Sequence, residues 1–454
     1  MRRLVVVGGG ISGLAAAWAA AQAGIDVTLI ERDRRLGGKL RTDRVQGFLL
    51  EAGPDSFLSR KPAAVKLCDA LGISSRLQSR RPQPRRTFVQ HQHRLHPMPE
   101  GFSGLVPTNL EALKGCPFLS AEARERALRE PDIPPRKDEG DESVESFMTR
   151  RFGAETFQLL IEPLVSGIYA ADAGRLSLES TYPQLRQVEL RHGNLTRGLA
   201  PGPNQPPAAA TDAFLSLPDG MGELVTHLEA KLDGVRLLRG ARVHRVARRE
   251  RGFLVEADGG TIETDALILA TPGHEAAPLV EPMDRDLGAL LAGIPAASPA
   301  IVHLGYRAES VEQALDGYGY VIPRVEGSLF IACTWTSSKW EGRAPDGMVL
   351  LRLYAGRAGG PEPGSDSDLV EAAREELSAT LGIRAAPVLT RIHRWERGMP
   401  QYTLDHPRTR SAIQARLEGN PGLYLAGASY RGVGIPDCIA SGQEAARSAI
   451  RHLE

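Results

Sequence analysis

The stretch Arg3-Leu-Val-Val-Val-Gly-Gly-Gly-Ile-Ser-Gly-Leu14, read on through Glu31, decides the fold. Residues 4–7 are an apolar run of the kind that a buried parallel strand needs. Gly8, Gly10 and Gly13 follow at GxGxxG spacing, and the Ala-rich residues 11–23, opening with Ile11 and Ser12, read as a helix that begins inside the glycine loop. The first glycine permits the tight turn, the second lets backbone approach a pyrophosphate, and the third lets helix pack on strand. The helix N-terminus, with free N–H groups and a positive dipole end, favours negative charge at that point. Residues 25–30 read as a second strand ending at Glu31, about 20 residues past the glycines. A carboxylate there can accept both ribose hydroxyls of an adenosine and repels a 2′-phosphate. The order strand, glycine turn, helix, strand, acid predicts dinucleotide binding.

The remaining composition narrows the class. The chain has 454 residues, enough for two or three domains, and 24% of them are charged. Basic and acidic residues balance at 55 each, so no global field argues for nucleic acid. Cys68, Cys116, Cys333 and Cys438 form no CxxC or Cys/His grouping, which offers no metal site and suits a reducing compartment. The first strand begins almost at once, leaving no room for a leader, and no apolar run approaches the roughly 18–20 residues of a spanning helix. The expectation is a cytoplasmic protein whose membrane contact is at most peripheral.

Past Glu31, the pair Gly37-Gly38 offers a second close backbone approach, and Lys39 and Arg41 can offset phosphate charge. Gly53-Pro-Asp-Ser56 is a turn by composition. Residues 62–77 read as helix, 87–99 as a hairpin, and 120–190 as helices interrupted by prolines. Residues 200–210, rich in Pro, Gly and Ala, read as a flexible loop. Strand-like segments at 241–246, 252–257 and 265–270 return to the architecture of the N-terminus. A second body follows over 285–390, with strands at 300–306, 318–322, 329–335 and 348–354 and a helix at 369–381.

The C-terminus repeats the opening theme. Gly422-Leu-Tyr-Leu-Ala-Gly427 reads as strand into glycine loop, and residues 435–452 as a helix with Pro436 in its first turn. Two strand–glycine–helix units hundreds of residues apart predict a discontinuous domain that grips a long cofactor twice. One unit would hold pyrophosphate, and the other helix N-terminus would face an isoalloxazine, stabilising reduced flavin. This favours FAD over NAD.

The N-terminal fingerprint, Leu36-Gly-Gly-Lys39, Gly53-Pro-Asp-Ser-Phe57 and the C-terminal glycine loop resemble the FAD-dependent amine oxidase superfamily. Ser166-Gly-Ile-Tyr-Ala-Ala-Asp172, Ala332-Cys-Thr-Trp-Thr-Ser-Ser-Lys-Trp340, Met399-Pro-Gln-Tyr402 and Gly432-Val-Gly-Ile-Pro-Asp-Cys-Ile439 are similar, more narrowly, to porphyrinogen oxidases of haem synthesis, especially the soluble bacterial kind acting on coproporphyrinogen III. The resemblance runs nearly end to end. It implies an α/β fold: a discontinuous Rossmann-like FAD-binding domain (1–80, 213–284, 395–454), a helical insertion (81–212) facing substrate or membrane, and a sheet-based substrate domain (285–394). The activity it implies is six-electron oxidation of a porphyrinogen by FAD and molecular oxygen, giving hydrogen peroxide, with a metal chelatase receiving the product. Hydride would pass from ring carbon to flavin in each of three rounds, so no catalytic acid or base is named.

By the same resemblance, the FAD contacts are Gly8, Gly10, Ile11, Ser12, Gly13, Glu31, Arg32, Lys39, Gly53, Pro54, Asp55, Ser56, Val243, Trp395, Val433, Gly434 and Ile435. Gly167 matches a position that leaves room beside the macrocycle, Tyr318 an aromatic that packs on a pyrrole, and Val321 lies near it. One departure is informative: protoporphyrinogen oxidases of the plant and animal kind carry an arginine before the aromatic that Phe88 matches, and this chain has Thr87. Arg86 is adjacent but shifted. The missing arginine is shared with the coproporphyrinogen kind, whose four-propionate substrate would meet cations such as Lys39, Arg41, Arg80, Arg85 and Arg86. The rival readings are protoporphyrinogen IX oxidation on the same scaffold, another flavin oxidoreductase of the superfamily, and a flavin-binding module without turnover.

Overall fold

Strand Arg3–Val7 lies at the centre of a five-stranded sheet in a computed structural model describing residues 2–82, 86–138, 140–200 and 213–454. The order is Arg236–Arg239, Asp26–Glu31, Arg3–Val7, Ala266–Leu269, Leu423–Leu425, and every pairing is parallel. The apolar run explains its place, because each face of the sheet must be covered. Leu4 and Val6 point to the core built with helices Ile11–Gln22 and Ile435–Leu453, whereas Val5 and Val7 point to a second core on the opposite face. That second core contains Val246 and Phe253 of an antiparallel meander (Val243–Arg248, Phe253–Ala257, Gly260–Thr264) and Leu287 of helix Arg285–Ala292. The period-two alternation of a strand thus separates two hydrophobic cores.

The second body is a seven-stranded sheet in the order Leu389–Arg394, Ala300–Arg307, Met348–Ala355, Phe330–Trp335, Gly319–Val321, Phe88–His91, Arg94–Pro97. Helix Asp366–Leu381 covers it, starting three residues before the sequence predicts because Ser365 and Asp368 close a capping box. The hairpin of residues 88–97 joins this sheet through Phe88 beside Tyr320 and Val89 beside Val321. The insertion expected to be helical over 81–212 therefore opens with two strands of the neighbouring body. Local alternation marks the hairpin, but which sheet edge it completes is a tertiary matter.

The helical part, residues 110–199, has its own core around Phe147, Phe152, Phe157 and Leu160. It also buries an ion-paired network: the Arg151 guanidinium reaches Glu130 and Glu189, all three fully buried. The predicted loop at 200–210 lies, from residue 201 on, outside the described residues. Among the described residues no helix is long and apolar enough to cross a membrane.

Candidate active site

The glycines at the head of the first strand occupy three different environments. Gly8 has φ +103°, and a Cβ there would stand 2.8 Å from the Ala270 carbonyl oxygen. A Cβ on Gly13 would stand 1.8 Å from the Gly8 carbonyl oxygen, so helix Ile11–Gln22 is seated directly on the turn. Gly10 differs from both, because a Cβ there would meet nothing within 4 Å. It caps the helix with backbone alone, leaving no side chain over the first-turn N–H groups. Tight turn, open face and close packing thus fall on the first, second and third glycines, as the fingerprint requires.

Glu31 closes this end. Its carboxylate accepts from Gly9 N at 2.6 Å and Asp33 N at 2.8 Å. Ala241 N donates to the Glu31 carbonyl at 3.0 Å, which brings buried Val243 to the same strand end. Arg32 turns away to Glu275, 3.0 Å distant. Gly37 (φ +100°) donates its N–H to Gly9 O at 2.8 Å and so carries Lys39 onto the loop. Among the described residues Lys39 has no ion-pair partner, and burial lowers its pKa, offset in part by the nearby Cys438 sulfur.

The second glycine loop arrives at the same place. Helix Ile435–Leu453 is capped by Gly434 with no side-chain acceptor, like the first helix. Ser12 Oγ would stand 3.9 Å from a Cβ on Gly427 of this loop, and the Cys438 thiol, which points to the Val433 carbonyl, has its pKa pushed up by burial to about 11. Gly442 lies against the Ser12 carbonyl. Two uncapped helix N-termini and one unpaired ammonium therefore meet at Ser12 and Cys438. Asp437, in the first turn of the second helix, is held by Lys61 at 2.6 Å. These features fit a dinucleotide with a flavin at its far end: donors for phosphate, a cation, a carboxylate for ribose, and an open face at Gly10.

The 53–56 turn is engaged differently from a bare ligand loop. Gly53 lies against the Lys39 backbone, where a Cβ would stand 2.0 Å from its carbonyl oxygen. Beyond Pro54, the Asp55 carboxylate is buried and takes hydrogen bonds from Ser56 Oγ at 2.7 Å, Lys339 Nζ at 2.9 Å and Trp340 Nε1 at 3.1 Å. Although burial opposes the charge, the Lys339 ammonium and Arg352 guanidinium hold Asp55 well below the usual carboxylate range. The sequence places Asp55 at the cofactor by resemblance but does not show these partners. Their signal lies in Lys339-Trp340, which ends the segment Ala332–Trp340, and in Arg352, a lone charge inside the apolar strand Met348–Ala355.

Trp395 donates its indole N–H to the Ala52 carbonyl, next to that turn, and forms one wall of a cavity of about 720 Å³. The other walls include Arg175, Arg357, Arg394, Pro361 and Gln401. Gln401 Nε2 donates to Tyr169 O at 2.9 Å and Ala358 N to Ala170 O at 2.8 Å, tying the cavity to the end of helix Glu162–Tyr169. Gly167 lies on that helix, with nothing within 4 Å of a Cβ placed on it. Val321 from the large sheet and Val433 from the second glycine loop pack on the same helical core.

Tyr318 and Arg86 lie elsewhere than a free pocket wall. The Tyr318 hydroxyl donates to Arg81 O at 2.7 Å, and the Arg80 guanidinium lies 4.5 Å from its ring centre. Arg86 is exposed, pairs with Asp316 at 3.1 Å, and uses its carbonyl to accept from Tyr318 N at 2.8 Å. Arg41 pairs with Asp43 at 2.8 Å, and Arg85 lies outside the described residues. Of the cations expected at the propionates, Arg41, Arg80 and Arg86 thus have separate partners, whereas Lys39 stands at the glycine loops.

Comparison with known proteins agrees with this geometry. Residues 11–450 match the family described as flavin containing amine oxidoreductase. The chain is 35% identical over 469 residues to coproporphyrinogen III oxidase of Bacillus subtilis (strain 168), covering 100% of this chain and 98% of that one. It is 32% identical over 482 residues to protoporphyrinogen oxidase of Homo sapiens, covering 99% and 98%. A crystal structure from Exiguobacterium sp. 255-15, of a protein provisionally named protoporphyrinogen oxidase, superposes with a TM-score of 0.88 at 32% identity over 98% of both chains. Fold, glycine geometry and full-length similarity agree: the chain belongs to the flavin-containing amine oxidoreductase family.

Proposed function

We propose that this protein oxidises coproporphyrinogen III to coproporphyrin III in haem biosynthesis, with FAD as resident cofactor and molecular oxygen as acceptor. The six-electron oxidation consumes three dioxygen molecules and releases three of hydrogen peroxide. The observation that carries the reading is the end-to-end similarity to a coproporphyrinogen III oxidase on a scaffold whose two glycine loops meet. Bound flavin supplies hydride acceptance and reaction with oxygen.

The chain's share is binding, orientation and exclusion of water. Glu31 addresses the ribose, the N–H groups behind Gly10 the pyrophosphate, and Lys39 adds a cation. Val433, Gly434 and Ile435, at the second helix N-terminus, would face the isoalloxazine, and the 53–56 turn with Trp395 would line the same site. The cavity beside Trp395 takes the macrocycle, with Gly167 leaving room for it. Arg175, which has no ion pair among the described residues, meets a propionate, and Arg394, already paired with Asp366, meets a second. A chelatase receives the product.

A second reading, oxidation of protoporphyrinogen IX, is favoured by the human relative's name. Thr87 weighs against it. Aerobic turnover of FAD-loaded protein on both substrates in parallel, following porphyrin fluorescence and peroxide with autoxidation subtracted, decides. Preference for the four-propionate substrate is expected. Preference for protoporphyrinogen overturns the substrate assignment, and failure on both overturns the porphyrinogen reading.

A further inference from the structure

The 53–56 turn belongs in sequence to the cofactor domain, yet the groups that fix it come from the other body. Lys339 and Trp340 stand just past strand Phe330–Trp335, on and after the short helix Thr336–Lys339, and Arg352 lies within strand Met348–Ala355. Lys339 Nζ lies 2.9 and 3.2 Å from the two Asp55 oxygens. The Trp340 indole, fully buried, donates to Asp55 Oδ2, and the Lys339 ammonium lies 5.3 Å from the Trp340 ring centre. Arg352, 1% exposed, donates to the Gly53 carbonyl, and among the described residues its Nε has no acceptor. From below, Ser216 Oγ donates to the Asp55 carbonyl at 2.7 Å and itself accepts from Arg343 at 3.1 Å.

A buried carboxylate, a buried guanidinium and a half-buried ammonium are costly to desolvate, and well-packed apolar residues would fill the same space at least as stably. What charge adds is direction, because each hydrogen bond fixes one atom of the turn relative to the sheet. We infer that Lys339, Trp340 and Arg352 are positioning residues for flavin: they set the conformation of the 53–56 turn and couple flavin binding to docking of the large sheet. The inference rests on the reading that flavin lies against this turn.

The test titrates FAD into apoprotein of the parent, Lys339→Met, Lys339→Arg and Trp340→Phe, following flavin fluorescence and the visible absorption band, with apoprotein unfolding measured alongside. Lys339→Met is expected to weaken FAD binding by about tenfold or more and to shift the visible band. Lys339→Arg, which keeps the charge, recovers most of the affinity. Trp340→Phe removes one donor, gives a smaller loss in the same direction, and decides the matter if Lys339→Met does not fold. FAD affinity within about twofold of the parent, with an unshifted band in a folded variant, overturns the inference. If the parent itself takes up no FAD, the flavin reading falls first.

Discussion

Gly442 lies against the carbonyl of Ser12 with no room for a side chain between them: a Cβ there would stand 2.0 Å from the oxygen. This contact joins the first helix of the chain to the last, and with it the two glycine loops. Gly442→Ala should therefore destabilise by about 3 kcal/mol or more, since backbone must move on both sides. Urea unfolding measures it. A loss under about 1 kcal/mol would mean that the helices slide apart easily.

Gly10→Ala should behave in the opposite way. Gly10 has φ −68°, which any residue adopts, and its Cβ would enter open space. Stability should change by no more than about 1 kcal/mol, while FAD affinity falls about tenfold or more because the methyl occupies the approach of the pyrophosphate. Flavin titration of apoprotein beside thermal unfolding separates the two. Unchanged affinity would remove the pyrophosphate from this loop.

Glu51 supplies a pH dependence. It is 2% exposed, accepts from Thr42 Oγ1 at 2.9 Å and Met221 N at 2.7 Å, and burial raises its pKa to about 7. Its folded pKa lies above the ordinary 4.5, so its proton-linked stability is fully present below 4.5 and is lost as pH rises through about 7. The loss amounts to about 3 kcal/mol. Glu51→Gln, whose amide can donate to Thr42, should flatten that slope and be the more stable protein near pH 8. Parallel pH slopes for the two proteins would contradict this.

Glu130 holds the helical body together. Fully buried, it accepts from Arg151 Nε at 2.8 Å, Leu195 N at 2.8 Å and Thr196 Oγ1 at 2.6 Å. Glu130→Ala leaves the Arg151 charge facing only Glu189 and backbone, and should cost about 3–5 kcal/mol. Hydrogen exchange should show the loss concentrated in residues 110–199 while the five-stranded sheet keeps its protection. Uniform loss across the molecule would show that the helical body does not unfold separately.

What the sequence determined by itself is local. The apolar run at 4–7, the spacing of Gly8, Gly10 and Gly13, and Glu31 at the next strand end follow from chain geometry over some 30 residues. The same holds for the C-terminal unit, from strand Leu423–Leu425 to helix Ile435–Leu453. Tertiary structure decided everything that depends on which distant surfaces meet. It put the hairpin of residues 88–97 on the large sheet, because register and edge are properties of the partner strand. It enclosed the cavity beside Trp395 with loops more than 200 residues apart, which no spacing encodes. It gave Asp55 to Lys339 and Trp340 across 284 and 285 residues, since a buried carboxylate takes whatever donors the fold brings to it.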